Sequence, residues 1–238
     1  MSLKIYTILC RAGSMDNYSY ILIDEPTGIC AVVDPSEPAP IIAELNRLNC
    51  RPEYILNTHH HFDHTDGNLE LKQLYHAKVV GNQNDAARIP GFDIGVEPGR
   101  TFALGKSTAE IIDVSAHTQN HILYYFKDDR ALFTGDTLFN LCIGGLFEGT
   151  PEQMFAALQK IKALPDDTLF YPGHEYTAYG APEARRQFPD SPELADYLEQ
   201  ARQRLSRGEP AGPVTLGLEK QCNPYLRAET ATDLARLC

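Results

Sequence analysis

Long apolar runs are missing from this chain. No stretch approaches the roughly 20 residues that span a bilayer. The start, through Tyr20, carries one Lys and a short apolar stretch that alternates like a strand; a signal peptide's long apolar core is absent. Positive charge is scarce. Lys and Arg number 21 against 32 Asp and Glu, a formal charge of −11, which argues against a nucleic-acid or anionic-membrane binder. Cysteine is sparse too. Cys10, Cys30, Cys50, Cys142, Cys222 and Cys238 are scattered and form no CxxC pair. A disulfide scaffold would be far denser, so reduced thiols and a cytoplasmic setting are expected. No internal repeat or low-complexity segment is present. Hydrophobic residues at 43% and charged residues at 22% are ordinary globular values, and 238 residues suit one sizeable domain, alone or with a small appendage.

What is present reads as mixed α/β. Lys4–Leu9, Tyr18–Asp24 and Ile29–Asp34 alternate or run apolar, with a turn at Pro26–Gly28. Ile41, Ile42, Leu45 and Leu48 share one face of a helix over Pro38–Leu48. Tyr54–Asn57 reads as a strand and Asn68–Tyr75 as a helix. Short strands follow at Lys78–Val80, Ile111–Val114, Leu123–Phe126, Ala131–Phe133 and Thr168–Tyr171. Thr150, Pro151 and Gln153 make a strong helix start: cap, first-turn proline, and a glutamine three after the cap. After Tyr176 helix signals take over. Ser191-Pro192-Glu193 opens a helix over Glu193–Leu205 that stops at Gly208, and a partly irregular, proline-containing tail follows that ends in a short last helix. A boundary is therefore expected near residue 175, giving a catalytic domain over 1–175 and a helical one over 176–238.

The chemistry concentrates in histidine. Of eight, His59, His60, His61 and His64 fall in one short motif with Asp63; His117 and His121 form a second group, and His174 follows Pro172-Gly173. Packing does not call for such density, and gathering charged imidazoles is costly. The first motif lies directly after a strand and before a helix, where α/β sites tend to form. His59 and His61 are two apart, so in extended chain they share a side. Asp63 and His64 come as the chain turns into the helix and point at a neighbouring location. His117, Asp136 and His174 each follow a different strand. Four strand ends supplying nitrogen and oxygen ligands point to a binuclear metal site for Zn²⁺, with Fe or Mn as alternatives. His60 alternates away from its neighbours, and His121 is read as a supporting residue. His76 stands outside these groups.

Thr58-His59-His60-His61-Phe62-Asp63-His64-Thr65-Asp66-Gly67-Asn68 resembles the signature of the metallo-β-lactamase fold superfamily. Together with Thr134–Phe139, Leu146–Thr150, Gly173–Thr177 and Asn223–Arg227, it resembles the glyoxalase II (hydroxyacylglutathione hydrolase) family. The resemblance implies a four-layer αββα sandwich followed by a small helical C-terminal domain that helps hold substrate. It implies one divalent ion on His59, His61 and His117, a second on Asp63, His64 and His174, and Asp136 bridging both. The implied reaction is hydrolysis of a small-molecule thioester, S-lactoylglutathione, by a hydroxide held between the ions. Asp63 is expected to orient that hydroxide, and Tyr176 and Phe147 to contact substrate. A thiolate leaves readily, which fits the lack of an obvious extra acid.

Two departures bear on substrate. A basic residue of the family, two positions before the residue matched by Phe147, is replaced within Gly144-Gly145, and the family's late Arg and Lys have no counterpart besides Arg236. Weak glutathione recognition is one expectation, and recognition by other residues such as Lys220 or Arg227 is the other. Another thioester or a lactone is therefore the alternative substrate. A mononuclear iron persulfide dioxygenase on the same fold is a weaker alternative, because it leaves His64 and His174 without a second ion. A β-lactamase role is weaker for want of a secretion signal.

Overall fold

The computed structural model describes residues 2–238. Alternation along the strands builds two six-stranded sheets. The first takes β1 (Leu3–Cys10), β2 (Asn17–Asp24), β3 (Cys30–Val33), β4 (Pro52–Leu56), β5 (Lys78–Asn82) and β6 (Phe92–Val96) in that spatial order. Pairing is antiparallel from β1 to β3 and parallel from β3 to β6. The second contains β7 (Thr101–Leu104), β8 (Ser107–Asp113), β9 (Ile122–Phe126) and β10 (Ala131–Gly135) as an antiparallel meander. A hairpin of β11 (Leu138–Phe139) and β12 (Cys142–Ile143) follows, and then β13 (Leu169–Pro172) pairs parallel to β10. The short β14 (Val214–Thr215) closes that edge.

Successive strand residues point to opposite faces, and both faces are used. Leu22, Val33, Leu56 and Val80 point inward and meet Leu104, Ile111, Tyr124, Phe133 and Tyr171 of the second sheet. Their neighbours Ile21, Val32, Ile55 and Val79 point outward. There they pack under α1 (Pro38–Leu48), through Ile41 and Leu45. Past the single-turn α2 (Phe62–Thr65), α3 (Asn68–Tyr75) adds Leu71 to the same layer. On the far side α4 (Pro151–Lys162) buries Met154, Leu158 and Ile161 against Leu123, Leu132 and Phe170. This is the αββα layering that the family resemblance implies. The capping box at the start of α4 is present as well: Thr150 accepts from the Gln153 N–H, and the Gln153 side chain accepts from the Thr150 N–H.

The remaining chain adds α5 (Thr177–Gln187), α6 (Pro192–Ser206), α7 (Leu216–Cys222), α8 (Pro224–Arg227) and α9 (Ala231–Ala235). The tail that reads as partly irregular is thus mostly short helices, interrupted where Val214 and Thr215 return to the second sheet. Strands β6 and β7 escape the sequence pattern for a local reason. Each is short and flanked or interrupted by glycines (Gly91, Gly95, Gly99, Gly105) that read as loop. No helix is long and apolar enough to cross a membrane among the described residues.

Glu219 fastens the helical segment to the sandwich. It is wholly buried and accepts hydrogen bonds from Tyr197 Oη (2.5 Å), Asn223 Nδ2 (2.9 Å) and the Leu141 N–H (3.1 Å). Leu141 sits at φ 64°, in the left-handed region, at the turn of the β11–β12 hairpin. A helix carboxylate thereby pins a strained turn whose strand residue Phe139 lines the main cavity. Burial pushes the Glu219 carboxyl up to about 7 against the pull of those three donors. The native state therefore keeps a proton that the unfolded chain has released between about pH 4.5 and pH 7. Stability from this group is complete below that window and is lost as pH rises through it. The unfolding free energy of the protein minus that of Glu219→Gln should fall by about 1.4 kcal/mol per pH unit between about pH 5 and pH 7. Denaturant titrations across that range check this, and a difference that is flat with pH contradicts it.

Candidate metal centre

Carboxyl ends of strands from both sheets meet at one rim. Asn17, at the start of β2, bridges to His174, just past β13, and the Tyr18 N–H donates to Gly173 O at 2.8 Å. This stitch joins the sheets where the histidines lie. All seven residues expected to bind metal converge there: His59, His61, Asp63 and His64 after β4, His117 after β8, Asp136 after β10, and His174 after β13. They fall into two groups with mutually close ligand atoms, His59–His61–His117–Asp136 and Asp63–His64–His174, each within 4.8 Å.

Asp136 stands between the groups. One carboxylate oxygen is 3.2 Å from His64 Nε2, and the other is 3.2 Å from His174 Nε2 and 3.4 Å from His117 Nε2. The approach is so close that only glycine fits beside it. A Cβ at Gly173 would overlap Asp136 Oδ1, and one at Gly144 would overlap the Asp136 carbonyl. On the other side, the Asp136 N–H donates to His121 Nε2, and the His121 ring stacks on His59 at 4.6 Å. His121 is thus a supporting group. His60 faces away, toward Asp85 (3.1 Å) and Glu148 (3.5 Å).

The other ring nitrogens are held by acceptors. His117 Nδ1 lies 2.7 Å from Gly145 O, His174 Nδ1 lies 2.7 Å from Met15 O, and His64 Nδ1 lies 3.1 Å from Asp34 Oδ2. Carbonyl and carboxylate oxygens only accept, so each Nδ1 carries a proton and each ring turns its Nε2 to the interior. Asp34 also accepts from the Thr58 N–H (2.8 Å) and from Thr58 Oγ1 (2.6 Å). With its hydrogen so committed, that hydroxyl accepts from His59 Nδ1 at 3.0 Å. One buried carboxylate therefore sets the tautomer of His64 directly and of His59 through Thr58. Asp34, His59 and His64 also lie close enough to form a third ligand group. Asp34's oxygens are already engaged, so it supports rather than ligates.

Sequence reasoning overlooked Asp34 and Asn17. Asp34 offered the signal that marked the others, an acidic residue closing an apolar strand, and it takes φ 45° there. Asn17 Nδ2 donates to Asp63 Oδ2 at 2.9 Å and to the Asp63 carbonyl at 3.1 Å. Nothing local in Asp16-Asn17-Tyr18 announces that role.

Burial sets the charges. It holds His59 well below the ordinary histidine value, helped by the neighbouring His64 and His121, and it pulls His61 down to about 4. Burial opposes charge on His174 as well, but Asp136 and Asp63 outweigh it and raise the ring to about 9. His64 is likewise raised, by Asp136 and Asp34 against its burial. The carboxylates of Asp63 and Asp136 stay lowered despite burial, because His174 and His64 sit against them. These carboxylates demand positive charge, while His59 Nε2 and Asp136 Oδ1 are buried without a hydrogen-bond partner. Ring nitrogens also face each other, His64 Nε2 to His174 Nε2 at 3.3 Å and His117 Nε2 to His61 Nδ1 at 3.1 Å. Unpartnered buried acceptors around paired carboxylates fit divalent cations, and imidazole with carboxylate is a donor set that Zn²⁺, Fe and Mn accept.

A cavity of about 930 Å³ opens onto Asp63, Asp136, His117 and His174. Tyr176 lines it with its ring stacked on His174 at 4.7 Å. Phe147 lines it from another side, edge-on to His61 and His117, and is 73% exposed. Lys220 and Arg227 do not line it. Lys220 is bound to Leu164 O and Asp166, and Arg227 lies over Phe188.

Residues 15–174 match the model of the metallo-beta-lactamase superfamily, and residues 175–236 match that of the hydroxyacylglutathione hydrolase C-terminus. The chain is 43% identical over 228 residues to a hydroxyacylglutathione hydrolase of Ruegeria pomeroyi, covering 96% of this chain and 88% of that protein. It is 41% identical over 235 residues to one from Pelagibacter ubique, covering 99% and 97%. Among solved structures, ETHE1 from Myxococcus xanthus shares the fold with a TM-score of 0.74 at 22% identity, over 98% of this chain and 89% of that one.

Asp34→Asn would present an amide donor where His64 and Thr58 need acceptors. Its affinity for divalent metal should drop about 10- to 100-fold, with the fold retained. Competition with a chromogenic chelator measures this, and unchanged affinity would show that Asp34 does not fix the imidazoles.

Proposed function

This chain belongs to the hydroxyacylglutathione hydrolase family of the metallo-β-lactamase superfamily, and on that premise we propose that it hydrolyses S-lactoylglutathione to lactate and glutathione at the cluster around Asp136. His59, His61 and His117 would hold one divalent cation, and Asp63, His64 and His174 a second, with Asp136 shared. Zn²⁺ is the first choice of metal, with Fe or Mn as alternatives. When bound, such a pair supplies a water acidified from about 15.7 to about 7 and a Lewis acid for the carbonyl oxygen.

The chain's own groups do the positioning. Asp63 faces the cavity with one oxygen held by Asn17, so it is oriented to accept a hydrogen bond from the attacking water. Tyr176 and Phe147 flank the cluster, where their rings would bracket the thioester. A thiol has a free pKa of about 8.5, so its anion departs at neutral pH without a strong acid beside it. Residues 1–175 would act as the catalytic unit and 176–238 as the substrate-side unit, which supplies Tyr176, Tyr179 and Tyr225 to the cavity. A cytoplasmic setting agrees with the scattered, unpaired cysteines.

The observation that carries this reading is the position of Asp136, within 3.2–3.4 Å of ring nitrogens from both groups. Freshly purified protein should contain about two metal ions per chain by elemental analysis. Asp136→Ala should hold at most about one and lose at least about a thousandfold in kcat/KM on S-lactoylglutathione. Full turnover by that variant would remove the shared-ligand assignment. A single iron with oxygen uptake would point to the dioxygenase alternative.

A further inference from the structure

The cavity beside the cluster is unusual in what lines it. Its walls carry six aromatic rings: Phe62, Phe139, Phe147, Tyr176, Tyr179 and Tyr225. No Lys or Arg lines it among the described residues. Its formal charges are the carboxylates Asp63 and Asp136 and the histidines beside them. Arg11, which packs on the lining residue Phe62, is committed elsewhere. It donates to Ser36 (2.9 Å) and pairs with Asp66 (2.5 Å), and its guanidinium packs 5.4 Å from the Phe62 ring centre. At Gly144 no side chain fits, and Gly145 has none to offer.

Three of the lining aromatics are open to solvent: Phe62 at 57%, Phe147 at 73% and Tyr179 at 76%. Exposed rings gathered at one mouth mark a surface that gains by being covered. They offer ring faces, and the tyrosines add hydroxyls. Both suit amide planes and alkyl stems, and neither needs an ion pair to hold them.

We propose that the thiol half of the substrate is recognised by these rings and hydroxyls rather than by ion pairs, so that the enzyme takes thioesters of uncharged thiols as well as those of glutathione. This rests on the thioester hydrolase reading above. The reaction is the same for either substrate. Water adds its oxygen to the carbonyl carbon, the carbon–sulfur bond breaks, and the electron pair leaves with sulfur. One proton of the water ends on the thiol and the other is released from the carboxylic acid. Glutathione's two carboxylates, facing a chain of net charge −11, contribute little to binding.

The test compares kcat/KM for S-lactoylglutathione with that for the S-lactoyl thioester of N-acetylcysteamine, a neutral thiol, on the metal-loaded enzyme. The two values should agree within about threefold, and KM for the glutathione thioester should stay constant from about 50 to about 500 mM salt. Charge-assisted bonds to two carboxylates would instead give at least about a thirtyfold preference for glutathione. That preference, with a KM that climbs with salt, overturns the proposal. Tyr179→Ala, at an exposed position, should raise KM about fivefold for both thioesters. A loss confined to the glutathione thioester would also overturn it. If neither thioester is turned over while a lactone is, the thioester reading itself fails, and the proposal with it.

Discussion

A buried carboxylate flanked by imidazoles from two directions is the constraint on which the rest of this molecule depends. Asp136 is 5% exposed and has ring nitrogens of His64, His174 and His117 within 3.4 Å. Taking such a charge out of water is expensive unless positive charge meets it. Asp63 repeats the demand nearby, while burial keeps His59 and His61 neutral. The arrangement makes physical sense as a holder of cations, and the same cations make it a hydrolase.

The fold meets this constraint by bringing four strand ends to one rim. Sheet alternation fills the space between the layers with apolar side chains, so polar groups can gather only where strands terminate. Glycines then allow close approach. Gly173 and Gly144 occupy the positions where any larger residue would collide with Asp136. Backbone carbonyls of Met15 and Gly145, and the Asp34 carboxylate, turn the histidine rings so that Nε2 faces inward. The helical segment contributes differently. Glu219 grips the Leu141 turn, and the tyrosines of that segment wall the cavity.

Much of this is legible in the amino-acid sequence. Residues that face one ion must recur at strand ends with nitrogen or oxygen donors, and the motif from His59 to His64, His117, Asp136 and His174 all carry that mark. Short apolar strands interleaved with helices point to mixed α/β layers, and the four-layer order is what the family resemblance adds. What stayed hidden depends on contacts between distant segments. Asn17 reaches Asp63 across 46 positions, and its tripeptide looks like any strand entry. Asp34 shows the strand-end signal, yet locally it looks like any residue closing a strand, because its partner His64 lies 30 positions on. Strands β6 and β7 were masked by glycines, and β14 by its two-residue length. Lys220 and Arg227 look available as free cations in the sequence, yet in space one is tied to Asp166 and the other packs on Phe188.

The central claim is that two cations lie on either side of Asp136. Anomalous diffraction from crystals of active, metal-loaded enzyme, collected at the absorption edge of the bound metal, tests it most directly. Two peaks are predicted, one among His59, His61 and His117 and one among Asp63, His64 and His174, both touching the Asp136 carboxylate. A single peak in crystals of fully active enzyme, or peaks lying outside these side chains, would contradict the account.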